Sequence, residues 1–223
     1  TIWTPDNSNL LRYKELCELG TYVIGEDLKT QLNNLADDFN SDEYYYDTSD
    51  AQLRMDFMEN CIRLTHSPFY NQPMVLMDWQ KAFIEATYSF KMSETGFDRF
   101  KRILLEIARK NTKSETCSAL SLTELVVGPA GSDIVCSSND DAQASILYDA
   151  VDVMRLLIDP DSRDTWRNQR FISNKNNGSK IFKLSDRTRN KEGRNIDYAT
   201  VDECHEMLTN VIVKSIDCLL YTS

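Results

Sequence analysis

Apolar residues recur along this chain with two different periods, and the change of period divides it. Leu28, Leu32, Leu35 and Phe39 lie three to four residues apart, the spacing of one face of an α-helix. Leu53, Phe57, Cys61 and Leu64 mark a second amphipathic helix, and a third is expected over Asp78–Phe90 with Asp78 as its cap. Residues 1–27 read as irregular, broken by Pro5, Gly20 and Gly25, and the acidic, tyrosine-rich Ser41–Asp50 reads as a loop. Pro68 to Pro73 forms a turn region.

Beyond residue 100, short apolar runs take over. Ile103–Ile107 is expected to be a strand, followed by a polar loop and a helix over Lys113–Val127. Gly128-Pro129-Ala130-Gly131 turns the chain, and Asp133–Ser137 reads as a second strand. Ala144, Leu147, Val151, Met154 and Ile158 define a long helix stopped at Asp159-Pro160, and Ile181–Leu184 and Ile196–Val201 are two further strands. Strands alternating with helices of this length predict a parallel α/β sheet, preceded by a helical N-terminal segment.

Composition narrows the class. With 223 residues, 41% hydrophobic and 27% charged, the chain is long enough to bury a proper core. No apolar run approaches the roughly 18–20 residues of a membrane span, and no signal peptide is visible. Six cysteines without a Cys-x-x-Cys pair, beside only His66 and His205, argue against structural zinc and for a reducing compartment. The net charge of −10 is uneven: residues 1–60 carry 13 acidic and 4 basic side chains, whereas 163–194 carry ten Lys/Arg against three Asp/Glu. A surface that binds nucleic acid throughout is basic overall, so any polyanion contact is expected to be local. The 163–194 stretch has two readings, a solvated loop or a contact with DNA phosphates or a neighbour's nucleotide. Tyr44-Tyr45-Tyr46 is expected to pack locally or against a neighbouring subunit rather than stack on bases.

Two segments carry chemistry. Val201-Asp202-Glu203-Cys204-His205-Glu206 ends a strand-like run with adjacent carboxylates, the pair a nucleotide hydrolase uses to hold Mg2+ and to deprotonate the attacking water. The same pair also suits a helix N-terminus. Upstream, Ala108-Arg109-Lys110-Asn111-Thr112-Lys113-Ser114 sits between an expected strand and an expected helix, where a phosphate loop belongs. Thr112 stands where G-x-x-x-x-G-K-[ST] has glycine, and the leading glycine is also missing. A β-branched residue forced to positive φ costs about 1 kcal/mol or more. A solvated basic turn before a capped helix is the other reading of this loop.

Taken together, these segments resemble the N-terminal ATPase region of tailed-bacteriophage terminase large subunits. The likeness covers roughly residues 50–215. Met77-Asp78-Trp79-Gln80 is similar to the family's adenine-side motif, and Arg109-Lys110-Asn111-Thr112-Lys113-Ser114 to its arginine-lysine-asparagine-glycine-lysine-serine loop. Asp140-Asp141-Ala142-Gln143-Ala144 resembles its alanine-glutamine helix start, and Leu184-Ser185-Asp186 through Asn195 leads into the acidic pair in the family's order.

The resemblance implies a P-loop NTPase of the RecA/ASCE-like class, with 1–65 an N-terminal helical segment and 66–217 an incomplete ATPase domain. Lys113 would clamp the β/γ phosphates, with Lys110, Asn111 and Thr112 lining the loop. Ser114 and Asp202 would hold Mg2+, Glu203 would activate water, Arg109 would sense or stabilise the γ-phosphate, and Gln80 would read adenine. His205 is expected beside the metal shell or at a helix start, not as a ligand. The implied partners are ATP, double-stranded viral DNA, the portal protein and the terminase small subunit, with a homo-oligomeric ring on the portal in the host bacterial cytoplasm and no membrane. The chain starts at Thr1 and lacks the family's coupling motif and nuclease domain, so it is expected to be a fragment. Cys218–Ser223 matches the translation of a transposon-end adapter and is expected to be non-native. A helicase-like ATPase is the competing enzyme, because Asp202-Glu203-Cys204-His205 also fits a D-E-x-H box. A nucleotide-binding or interaction module decayed at Thr112 is the non-enzymatic alternative.

Overall fold

The computed structural model describes residues 2–108, 110–138, 141–184 and 196–202. The chain clusters into two compact units, Thr1–Asp56 with Val75–Glu106, and Phe57–Met74 with Ile107–Ser223.

The first unit is mostly helical. It contains α1 (Asn9–Glu18), α2 (Glu26–Asp38), β1 (Tyr44–Tyr46), the first part of α3 (Ser49–Cys61), α4 (Asp78–Ser89) and β2 (Phe90–Met92). Glu26 and Asp27 open α2, where negative charge suits the helix dipole, and Leu32 and Leu35 are its buried face. These two pack with Leu10, Tyr13, Ala82 and Phe90 into one apolar cluster. Aromatic rings extend it: Phe39, Tyr46 and Phe90 meet at centroid distances of 4.3–5.5 Å, each such pair contributing about 0.5–1.5 kcal/mol beyond its buried area.

Three expectations fail in this unit. Residues 9–18 form α1 rather than irregular chain, with Ser8 as N-cap accepting from the Leu11 N–H. Its apolar stripe is short, and much of its anchoring comes from Glu85 on α4, a partner no local pattern discloses. Tyr44–Tyr46 is a strand inside the expected loop, paired antiparallel with β2 in the register Tyr46↔Phe90. Asp78 is not the cap of α4. Met77 holds that place and donates its N–H to Gln80 Oε1 at 2.8 Å, while Asp78 accepts from the Tyr22 hydroxyl.

The second unit holds α5 (Lys113–Val127), β3 (Asp133–Ser138), α6 (Asp141–Ile158), β4 (Thr165–Arg167), β5 (Phe171–Asn174), β6 (Lys180–Leu184) and β7 (Tyr198–Asp202). The sheet order is β4-β5-β6-β3-β7. Strand β3 runs parallel to both β6 and β7 and buries five successive residues from Ile134 to Ser138, as a central parallel strand covered by helices must. Helix α6 turns Ala144, Leu147, Val151 and Met154 into the core, and α5 contributes Ala119, Leu122 and Leu125.

The α/β class expected from the alternation of elements holds, with two differences in detail. Strands β4 and β5 pair antiparallel at one edge, in a stretch read as a loop or a polyanion contact. Arg167 on β4 is held by Asp149 and Asp152 of α6 at 2.8 and 2.9 Å, and Lys183 on β6 by Asp141 at 2.9 Å. Arg167 and Lys183 are therefore neutralised within the unit. The other difference is Ile103–Ile107, which forms no strand, with Ile103 and Leu104 exposed. A strand needs a hydrogen-bonded neighbour, and apolar periodicity says nothing about whether one is supplied.

Candidate nucleotide site

The start of α5 is built by an unusual stretch of backbone. Lys110 and Thr112 both take positive φ, 67° and 60°, whereas Asn111 between them does not. Backbone that alternates in this way turns successive N–H groups toward one side and forms an anion-binding concavity. The helix N-terminus behind it adds its own unpaired N–H groups and positive dipole end. Thr112 accepts the first helical bond, from the Thr116 N–H at 2.9 Å, and a second from Thr116 Oγ1 at 2.9 Å. Its own hydroxyl donates to the Asn111 carbonyl at 2.7 Å. Thr112 thus occupies the left-handed conformation that glycine adopts without strain.

The first two residues of α5 meet the end of β7. Lys113 Nζ lies 2.9 Å from Asp202 Oδ1, and Ser114 Oγ lies 3.5 Å from Asp202 Oδ2. Parallel pairing with β3 sets this juxtaposition, because Asp202 stands opposite Ser138 at the C-terminal ends of the two strands. Ser138 Oγ donates to the Asp202 carbonyl at 3.0 Å. About two helical turns below, Ser121 of α5 and Thr200 of β7 share a hydroxyl hydrogen bond of 3.0 Å. Cys136 on β3 beside Ser121 is fully buried, and burial pushes its thiol up to about 12, so it stays neutral. The Lys113 and Asp202 side chains are 27% and 15% exposed, open enough for a ligand to reach them.

Ser114 Oγ and the Asp202 carboxylate are hard oxygen donors on one side of the site. That set fits Mg2+, which takes one or two protein oxygens and completes its octahedron with water and phosphate. Among the described residues there is no cluster of three or more His, Cys, Asp and Glu side chains of the kind a fully protein-ligated metal requires.

The other expected site residues are distributed as follows. Lys110 and Asn111 belong to the exposed loop. Gln80 lies in the first unit, 1% exposed, with its Oε1 taken by the Met77 N–H, and Trp79 packs on that unit's apolar cluster. Arg109, Glu203, His205 and the 218–223 tail lie outside the described residues. Glu115, which sequence spacing did not single out, follows Ser114 and accepts from the Thr65 N–H at 2.6 Å. An acid in the first turn of a helix is too common to have flagged it.

Comparison with known proteins gives likenesses of two kinds, to a family model and to solved structures. A family model described as "Terminase large subunit, ATPase domain" matches residues 78–219. Among solved structures, the crystal structure of the HK97 bacteriophage large terminase is similar with a TM-score of 0.66 at 20% identity, covering 78% of this chain and 35% of that chain. At that identity the likeness bears on the fold, and this chain spans about a third of that protein's length. No curated protein matches.

Proposed function

Because this chain belongs to the terminase large subunit ATPase domain family, a family of ATP-hydrolysing domains with a RecA-like P-loop fold, we propose that its α5–β7 end is the site of Mg2+-dependent ATP hydrolysis. The observation that carries this reading is the convergence of Lys113, Ser114 and Asp202 at one helix start.

In this mechanism the N–H groups of residues 110–114 cradle the β- and γ-phosphates. Lys113 exchanges its carboxylate partner for phosphate oxygens, and Ser114 and Asp202 hold the metal. Held by these two side chains, Mg2+ would supply positive charge against the phosphate oxygens. Glu203, beside Asp202 in sequence, takes a proton from water as its oxygen bonds to the γ-phosphorus. The bond to the β–γ bridging oxygen breaks, and Arg109 balances the charge that develops. Gln80 is assigned to the adenine side by family resemblance. Within its family the domain would drive double-stranded viral DNA into a procapsid, as a ring of copies docked on the portal protein with the terminase small subunit in the bacterial cytoplasm. Among the described residues no helix is long and apolar enough to cross a membrane.

Two variants test the site. Lys113→Ala is expected to lose most Mg-ATP binding. Glu203→Gln should retain ATP and cut turnover at least about 100-fold, the scale of losing a positioned base. Unchanged turnover in Glu203→Gln removes that residue from the mechanism, and unchanged binding in Lys113→Ala removes the site.

A further inference from the structure

We propose that an aromatic cleft in the helical unit is a receptor for an arginine side chain on a basic segment of a protein partner. The cleft belongs to that unit alone and is independent of the nucleotide site.

Trp3, Asp38, Phe39, Tyr44, Tyr45 and Phe90 are among the residues lining it, and its volume is about 290 Å3. A drug-sized ligand takes a pocket of roughly 300–1,000 Å3, so this one suits a single side chain. Packing fixes the lining. Phe90 is fully buried, and Phe39 and Tyr46 meet its ring edge-on. Trp3 in turn meets Tyr46 with centroids 4.9 Å apart and planes at 77°, and Phe39 at 6.5 Å and 63°. Pairing of β1 with β2 sets Tyr44 opposite Met92 and Tyr45 opposite Lys91. Tyr45 is nonetheless 46% exposed, which leaves part of the lining open to solvent.

Two features select a cation. The first is charge. Residues 1–60 carry 13 acidic and 4 basic side chains, and Asp37, Asp42, Glu43 and Asp47, next to lining residues in sequence, are exposed. Such a surface repels a polyanion, which weighs against stacked nucleic-acid bases, and it steers a basic segment inward.

The second is that two of these rings already hold a guanidinium. Arg99 places its Cζ 4.0 Å from the Tyr44 centroid and 5.5 Å from that of Phe90, with Phe100 at 4.8 Å, and its Nη1 pairs with Asp38. Ring faces and a carboxylate thus recognise a planar cation once within the unit itself. Arg99 balances the charge of Asp38, so attraction for a second cation rests on the remaining ring faces and the exposed carboxylates around them. A guanidinium fits this setting better than an ammonium, being planar, weakly hydrated and able to stack on aromatic rings.

The test follows the Trp3 indole N–H by NMR on the full chain, its peak identified by its loss in Trp3→Phe. A decapeptide of arginine alternating with glycine and serine is titrated beside two counterparts, with citrulline (neutral and of the same shape) or lysine at the arginine positions. The arginine peptide is expected to shift the Trp3 peak to saturation. Citrulline should weaken binding at least about tenfold, and lysine about threefold. Tyr45→Leu keeps bulk at a half-exposed position and removes the ring. It should lose about fivefold in affinity, with the amide spectrum otherwise unchanged. Asp42→Asn combined with Glu43→Gln should weaken binding at low salt and flatten its salt dependence.

A Trp3 peak unmoved by the arginine peptide overturns the proposal, as does unchanged affinity in Tyr45→Leu. Equal binding of the citrulline peptide makes the cleft an apolar seat and also overturns it. Spermidine moving the peak as strongly at the same concentration assigns the cleft to a free polyamine. A shift that grows with protein concentration alone assigns it to a second copy. Either result overturns the assignment to a basic partner segment.

Discussion

Two carboxylates, Glu85 in the helical unit and Asp202 in the sheet unit, show how one chemical group serves opposite ends. Glu85 is 1% exposed and accepts from Ser8 Oγ, the Asn9 N–H and side-chain amide, the Leu10 N–H and the Tyr46 hydroxyl, at 2.5–3.2 Å. It meets the first N–H groups of α1 and closes the unit's polar interior. Burial first, and then the charge of Glu85, drive the Tyr46 hydroxyl far above its ordinary pKa, so Tyr46 remains a donor. Asp202 instead ends a strand at a partly open helix start, opposite a lysine. A carboxylate enclosed by neutral donors organises structure. One facing a lysine within reach of solvent is placed to exchange partners.

The sharpest way to break this contrast is to remove each acid. Glu85→Ala leaves several donors buried without an acceptor and is expected to cost about 3–5 kcal/mol of stability, read from urea unfolding. Asp202→Asn should move stability by no more than about 1 kcal/mol, as partly exposed ion pairs do, yet abolish turnover. Similar unfolding losses in the two variants would erase the distinction.

Asp159 sharpens the comparison at intermediate exposure. Burial alone would raise its pKa, but bonds from the Thr165 hydroxyl and N–H and from the Arg163 and Asp164 N–H groups hold it down to about 2. Its folded value lies below the unfolded one, so its stabilisation is complete above about pH 4 and disappears as pH falls through about 2. Asp159→Asn is therefore expected to be less stable by about 1–2 kcal/mol near neutrality, with the gap in urea midpoint closing as the pH is lowered from 4 to 2. A gap independent of pH would show that the charge does not contribute.

The smallest effect belongs to Thr112. Its φ of 60° is strained for a β-branched residue, whereas glycine would relieve the strain at some cost in unfolded-state entropy. Thr112→Gly should gain about 0.5–1 kcal/mol in thermal or urea unfolding. A loss instead would mean that the Thr112 hydroxyl contact with Asn111 outweighs the backbone strain.

What was legible in the sequence follows the range of the forces involved. Helix α5 was readable at both ends, because a polar loop, an apolar run and Gly128-Pro129 are all local signals. Strands β3, β6 and β7 were readable as apolar runs between turns, and with them the α/β class. Helix α1 was not, because its anchor Glu85 lies 76 residues from Asn9. The β5–β6 hairpin did carry a local signal, Asn176-Asn177-Gly178, with Gly178 at φ 77°, a turn chemistry that favours antiparallel return. It was masked by the density of basic residues around it. At the candidate site, motif order drew attention to Lys113, Ser114 and Asp202. The latch from Glu115 to Thr65 was illegible, since it joins residues 50 apart through a side chain with no distinguishing neighbours.

The lysine–aspartate contact at the head of α5 also sets terms for whatever anion arrives. Lys113 already has its own counter-ion, so under the proposed function a bare polyphosphate would compete with Asp202 for Lys113 and leave that acid facing like charge. A polyphosphate that brings a divalent cation offers the displaced carboxylate a new companion in the same event. Under the proposed function Lys113 and Asp202 would thereby form a filter that favours metal-chelated nucleotide over the free form.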